Sequence, residues 1–236
     1  MKKTPKVFVG TLYVNEPQFE KCCDAISSQK GVEVTHSIIK GKSELEAHNI
    51  LWNQWNTVRS CYDMFVKVDA DTVLREGVLQ QAAELMTSDK RITGMQIPLH
   101  DYFTNVEIAG LNCFSPDMTF STSKDSLFCD RGAEVGHDIV LKGRKVEFMA
   151  PAGYHCQDPS PEQAFHYDLH RMAKGQDRTM ALIKDAHEKE GGIARIWALR
   201  GSERCNDIPH NKMNYCDKEF IDLFEKVYKE KTYYLT

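Results

Sequence analysis

The chain reads as an α/β protein of three layers, a largely parallel sheet between helices, with a helical C-terminal extension. Three observations point there. Strand-like and helix-like segments alternate as β-α-β-α-β over the first seventy residues. The run Met64–Leu74 (Met-Phe-Val-Lys-Val-Asp-Ala-Asp-Thr-Val-Leu) is short, apolar and β-branched, as a strand buried on both faces of a parallel sheet must be. From Glu162 onward only helical periodicity remains.

Lys6–Leu12 is the first expected strand. Asn15-Glu16-Pro17 opens a helix, with proline near the first turn where its missing N–H costs nothing. Phe19, Cys22, Cys23 and Ile26 give that helix an apolar face, and Gly31 closes it. Val32–Ile39 forms a second strand. Ser43, with Glu46 three residues on, makes a capping box for a helix carrying Leu45, Ile50, Leu51 and Trp55. The strand before Asp69 follows, then a helix from about Gly77 to Met86 and a strand from Ile92 to Leu99. Residues 100–133 are mixed, with a Ser/Thr-rich stretch from Ser115 to Ser126 that suits loops and short strands over a site. Lys145–Met149 is a late strand. Helices are expected at Ala164–Ala173, Thr179–Lys189, Ile193–Leu199 and Phe220–Val227. The pattern divides into an α/β domain over 1–175 and a helical extension over 176–236.

A chain of 236 residues can bury a sizeable core, and 42% hydrophobic with 27% charged residues is ordinary for a globular protein. A formal charge of -4 and the lack of any Lys/Arg block exclude a nucleic-acid footprint. The basic start Met-Lys-Lys-Thr-Pro-Lys leads into a strand pattern rather than a signal-peptide apolar region, and no run is long enough to span a bilayer. The eight cysteines form no CxxC pair, which argues against a structural zinc site, and the expected lack of a signal peptide reads the scattered thiols as reduced, in a cytoplasmic location. Cys156 beside His155 invites a nucleophile reading, but neighbours in sequence do not face each other by default.

Asp69 and Asp71 carry the chemistry. They end an apolar strand, on the edge where parallel sheets bind ligands. Two oxygen donors with open coordination positions suit Mg2+ or Mn2+ bound together with substrate phosphates. The plain alternative is a strand end followed by an Asp-Thr helix cap. Asp71 lies farther off the strand end and is the better direct ligand. Asp69 is placed to act through water or on a ribose. Lys42 is a candidate phosphate contact, or a solvated lysine.

The Asp69-Ala70-Asp71 segment resembles the DxD motif of GT-A glycosyltransferases of the family-two type. Supporting stretches are Val9-Gly-Thr-Leu-Tyr-Val-Asn-Glu16, similar to that family's opening strand and loop, and Lys42–Asn49, similar to the helix before its DxD strand. Glu134-Val-Gly-His-Asp138 looks like a diverged acidic acceptor-side motif, and His155 with the Pro-punctuated segment behind it resembles the histidine loop of some bacterial members. The likeness covers residues 6–175. The acidic pair that usually follows the second strand in that family, and serves uracil recognition there, is missing here. The resemblance implies a three-layer GT-A fold, a nucleotide-sugar donor (UDP by family habit) and a saccharide or glycoconjugate acceptor. It places Thr11, Leu12, Glu16, Lys42, Asn49, Asp69 and Ala70 in the nucleotide pocket, and Asp69, Asp71 and His155 on the metal. An inverting transfer needs a carboxylate to take the acceptor proton. Glu134 matches the family position best, with Asp138 second and Asp130 third.

The runner-up is a haloacid-dehalogenase-type phosphatase, with Asp69 as nucleophile and Asp71 as acid/base. Its motif fits locally, but belongs on a first strand, whereas a β-α-β-α unit precedes it here. A third reading is a relative that binds nucleotide or sugar without turnover. Trp52 and Trp55 read as packing. Tyr102, Phe103, Phe114 and Phe120 read mostly as core, though sugars stack on such rings. His166 and His170, four residues apart without an HExxH, read as solvent or interface residues. Trp197, Tyr228, Tyr233 and Tyr234 pack the tail on the sheet, or else dock it on a membrane or partner.

Overall fold

The computed structural model describes residues 3–129 and 150–230. The expected strand Lys145–Met149, the three candidate bases Asp130, Glu134 and Asp138, and Tyr233 and Tyr234 lie outside the described residues.

Seven strands form one mixed sheet in the order β2-β1-β3-β6-β5-β7-β4. They are β1 (Lys6–Tyr13), β2 (Glu33–Lys40), β3 (Met64–Lys67), β4 (Thr72–Leu74), β5 (Gly94–Asp101), β6 (Glu107–Phe114) and β7 (Gly153–His155). β2, β1 and β3 run parallel, with Val7 opposite Val34 and Met64. This is the half read from sequence. β6 then pairs antiparallel with both β3 and β5, so the sheet is mixed where a largely parallel one was expected. β5 and β7 are parallel and β4 and β7 antiparallel. β6 is a full eight-residue strand in a region read as loops and short pieces. The apolar run Met64–Leu74 is two strands, broken at the acidic pair by a turn in which Thr72 N–H bonds Asp69 O.

The helices are α1 (Phe19–Ser27), α2 (Glu44–Val58), α3 (Val78–Ser88), α4 (Pro161–Ala173), α5 (Asp177–Glu190), α6 (Ile193–Glu203) and α7 (Lys218–Glu230). Strand alternation sorts side chains to two faces. Val7, Val9, Met64 and Val66 pack with Cys22 and Ile26 of α1 and Leu79 and Ala82 of α3. Phe8 and Phe65 face the other way, onto Ala47, Leu51, Trp52 and Trp55 of α2. With both faces covered, β3 is buried throughout and β1 from Val7 to Thr11, which is why they read as unbroken apolar runs. Ser43 caps α2 by accepting from Glu46 N–H, as expected, while the Glu46 carboxylate turns to Lys42. Gly10 lets α2 approach β1, since a Cβ there would meet the Leu51 side chain at 2.3 Å.

The helical tail has its own core. Phe165 and Leu169 of α4 pack with Trp197, Phe220 and Leu223. Trp197 is buried, and Tyr228 stacks on it at 5.4 Å. α4 and α6 cross so closely that a Cβ on Gly201 would sit 1.9 Å from the Phe165 carbonyl oxygen. Among the described residues, no helix is long and apolar enough to cross a membrane.

Candidate active site

A cavity of about 810 Å³ opens at the carboxyl ends of β1, β2 and β3, roofed by α4. Leu12, Tyr13 and Glu16 line it from β1 and the loop after it, Lys42, Glu44 and His48 from the start of α2, and Lys67 to Asp71 from the β3–β4 turn. Along α4, the stripe Gln163, Tyr167, Arg171 and the stripe His166, His170, Lys174 both face it.

Asp71 and His155, 84 positions apart in sequence, meet at its floor. Thr72 pairs with His155 across β4 and β7, which sets the Asp71 carboxylate beside the imidazole, with Oδ1 3.5 Å from Nε2. The other ring nitrogen, Nδ1, lies 2.8 Å from Asp101 Oδ1. Asp101 is wholly buried at the end of β5, and its second oxygen accepts from Thr104 N–H (2.9 Å), Thr104 Oγ1 (2.6 Å) and Tyr167 OH (3.0 Å). A carboxylate held this firmly fixes the ring and its tautomer, leaving Nε2 aimed at Asp71. Burial raises the Asp101 carboxyl, but His155 and Thr104 outweigh it and hold the group below its ordinary value. Burial likewise lowers His155, and the Asp71 and Asp101 carboxylates reverse that, leaving the imidazole above its ordinary value.

Asp71 Oδ2 accepts from Cys156 Sγ at 2.8 Å and from Gln163 Nε2 at 3.0 Å. Its Oδ1 is buried and has no hydrogen-bond partner among the described residues. A buried carboxylate oxygen with an imidazole nitrogen beside it, anchored from behind by a second carboxylate, is a donor set able to hold a divalent metal. Asp71, His155 and Cys156 place their ligand atoms within 4.8 Å of one another. Neighbouring residues of an extended strand point to opposite faces, yet His155 and Cys156 both reach Asp71. The cause is the backbone: Cys156 adopts φ +58°, so the chain turns sharply after β7, and its N–H bonds Asp71 O at 3.0 Å. A left-handed non-glycine residue costs on the order of 1 kcal/mol or more and is held only by its surroundings.

Asp69 is positioned differently. Its carboxylate takes the Lys67 ammonium at 2.6 Å and opens to the cavity. Burial raises it, but Lys67 wins and the group stays below its ordinary value. Glu16 accepts from Val14 N–H (2.9 Å) and Asn15 N–H (3.2 Å), and burial, with the Asp71 charge as a lesser contributor, lifts it to about 7. Leu12, Lys42 and Ala70 line the cavity. Two residues expected in the nucleotide pocket are engaged elsewhere. Thr11 is fully buried with its hydroxyl on His36. Asn49 clamps the backbone of Ser123 through both its amide atoms.

His166 and His170, read from sequence as solvent or interface residues, are half-buried and line the cavity. His166 stacks on Tyr215 at 4.1 Å, and His170 Nε2 lies 3.6 Å from Glu44. Glu44, His48 and Cys129 form a second group of close donor atoms, with His48 Nδ1 2.7 Å from Glu44 O and 3.2 Å from Cys129 Sγ. Phe103, Phe114 and Phe120 are core, as are Trp52 and Trp55. All eight cysteines are free thiols.

Charge is distributed unevenly. Glu16, Asp69 and Asp71 sit at the sheet edge, while Arg171 and Lys174 lie on the second half of α4, with Lys42 at the start of α2. Arg171 is held against the Tyr167 ring at 4.4 Å and donates to Gln176. The arrangement accommodates a cation on one wall and an anion beside it.

No family model matches the chain, and no curated protein matches it. Among solved structures, the mannosyltransferase PcManGT from Pyrobaculum calidifontis, in complex with GDP-Man and Mn2+, aligns over 98% of this chain and 81% of its own at 14% identity, with a TM-score of 0.44.

Proposed function

We propose that the chain is a metal-dependent glycosyltransferase that moves a sugar from a nucleotide-diphosphate donor to a hydroxyl acceptor, a saccharide or glycoconjugate. The observation that carries it is Asp71 Oδ1, buried without a hydrogen-bond partner among the described residues and 3.5 Å from the anchored His155 imidazole, in a cavity of about 810 Å³. That volume suits a ligand of nucleotide-sugar size. Asp71 and His155 hold the metal, and Asp69 stands beside them, oriented by Lys67. A divalent cation bound there supplies charge for a departing phosphate.

The chain's own cations do the rest. Arg171 and Lys174 face the acidic wall from α4 and meet the diphosphate as its leaving oxygen gains charge. Lys42 extends that field toward the nucleotide. Tyr13, stacked on Phe19 at 3.9 Å with the Lys40 ammonium over both rings, offers an edge for the base or ribose. On the sequence resemblance, Glu134 takes the acceptor proton, with Asp138 and Asp130 behind it. The phosphatase reading needs Asp69 both as nucleophile and on the metal, but Asp69 is tied to Lys67 and the clustered donors are Asp71, His155 and Cys156.

The test is thermal and urea stabilisation of the whole chain by a panel of nucleoside diphosphates and their sugar conjugates, with divalent metal and with chelator. A ligand at a hundred times its Kd should stabilise by about 2.7 kcal/mol. The expected result is a metal-dependent shift with one nucleotide, lost in Asp71→Ala. No shift with any nucleotide, together with metal-dependent phosphate release abolished by Asp69→Asn, would overturn the transferase in favour of the phosphatase.

A further inference from the structure

We propose that Cys156 is the third protein ligand of the metal, making the site an oxygen–nitrogen–sulfur centre that selects a borderline-soft ion of the zinc and cobalt class over Mg2+. This rests on the reading of Asp71 and His155 as metal ligands and goes beyond it, because it fixes what kind of ion they hold.

The geometry points to it. Cys156 is 1% exposed, and its Sγ lies 2.8 Å from Asp71 Oδ2 and 3.7 Å from His155 Nε2, while Nε2 lies 3.5 Å from Asp71 Oδ1. Ordinary zinc bonds to nitrogen, oxygen and sulfur arranged tetrahedrally put N···O at about 3.4 Å and N···S at about 3.6 Å. Octahedral edges at those bond lengths would be about 2.9 and 3.1 Å. The N···O and N···S separations are close to the tetrahedral values, whereas Sγ and Asp71 Oδ2, now hydrogen-bonded at 2.8 Å, lie closer than the about 3.6 Å of a tetrahedral sulfur–oxygen edge. Three protein donors leave the fourth position open for one phosphate oxygen, the usual plan of a reactive zinc site. Thiolate and imidazole favour zinc-class ions, whereas Mg2+ takes oxygen donors.

The surroundings fit a sulfur ligand. When the metal binds, the S–H bond breaks, its proton passes to solvent, and the sulfur lone pair forms the bond to the metal. Asp71 Oδ2 then loses the thiol as a donor but keeps Gln163 Nε2 at 3.0 Å, and the same amide nitrogen lies 3.5 Å from Sγ. One buried glutamine thus holds both ligands from behind. The φ of +58° at Cys156 acquires a purpose, since an extended backbone there would carry the sulfur away from His155.

The experiment uses the full reduced chain, stripped with chelator and titrated with Co2+. Equilibrium dialysis gives stoichiometry and affinity, and the near-ultraviolet thiolate-to-cobalt charge-transfer band reports sulfur ligation. Cys156→Ser preserves the shape and the hydrogen bond to Asp71, and its thermal melt confirms folding. Cys216→Ser removes the other cavity thiol not placed on the metal. The expected result is one Co2+ per chain with the band in wild type and in Cys216→Ser. In Cys156→Ser the band should vanish and affinity fall by about 10- to 100-fold, a range reached even by groups one layer farther from a metal. Excess Mg2+ should not displace Co2+ from wild type. A fully loaded chain without the band, or a band unchanged in Cys156→Ser, overturns the assignment of Cys156 while leaving Asp71 and His155 as ligands. Failure of wild type to bind Co2+ at all overturns the metal site itself.

Discussion

Glu16 sits with its carboxyl near pH 7 because its cavity-lining position strips away water faster than two backbone N–H bonds can compensate. The unfolded chain titrates it near 4.5, so the folded state holds the proton more tightly. Below pH 4.5 both states are protonated and stability is fully retained. As pH rises toward 7 the unfolded chain releases its proton first, stability falls, and above pH 7 the folded protein bears the whole penalty. A displacement from 4.5 to about 7 at about 1.4 kcal/mol per pH unit is worth about 3 kcal/mol. Glu16→Gln is a permanently neutral copy of the protonated form, and its amide oxygen accepts the same bonds from Val14 and Asn15. Urea unfolding in chelator, followed by the buried Trp52, Trp55 and Trp197, should show equal stability for the two proteins near pH 4. By pH 8 the variant should be more stable by about 3 kcal/mol. Asp168, raised to about 6 by burial, tilts both curves alike and cancels in the difference. A difference that does not change with pH, or a variant less stable than wild type at pH 8, would refute the reasoning.

Two further perturbations test the scaffold. Asp101→Asn weakens the charge that orients His155 while leaving the Asp71 carboxylate in place. Co2+ affinity by equilibrium dialysis should drop by about 10- to 100-fold, and the fold should lose about 1–3 kcal/mol through the buried groups left poorly paired. Gly201→Ala forces a methyl into the Phe165 carbonyl at the α4–α6 crossing. Because neither backbone can yield cheaply, it should cost about 3 kcal/mol or more, seen as a fall in Tm of about 6 °C or more.

Much of this was legible in the sequence. Unbroken apolar runs revealed β1 and β3, which are covered on both faces, and helical periodicity revealed the helices that cover them, which bury one face each. The acidic pair stood out for the same reason, as polar residues closing a buried run. β4 and β7 were harder, since three residues carry no period. β6 was hidden because Ala109 and Gly110 interrupt its alternation, where the register with β5 shifts between Ile97 and Pro98. Cys156 escaped because a positive φ on a non-glycine residue leaves no mark in composition. Gln163, Tyr167 and Arg171 did leave a signal: spaced four apart beside a second stripe of His166, His170 and Lys174, they give α4 a broad polar face too ordered for plain solvent. Asp101 ends a strand as Asp69 does, but one carboxylate alone does not announce a partner 54 residues later.

The floor of the site joins parts of the chain that are made far apart in time. Cys156 reaches Asp71 across 85 residues and Gln163 reaches it across 92, so the first half of the chain can build β1, β2, β3 and α2 while the centre does not yet exist. Contacts of such long range are closed late, after the local ones have formed. The donor set therefore comes into being only when β7 docks between β5 and β4, the last seam of the sheet in chain order. An ion held there as proposed would clasp that seam, binding the finished fold and not its precursors. Its binding energy would add to the stability of the whole sheet.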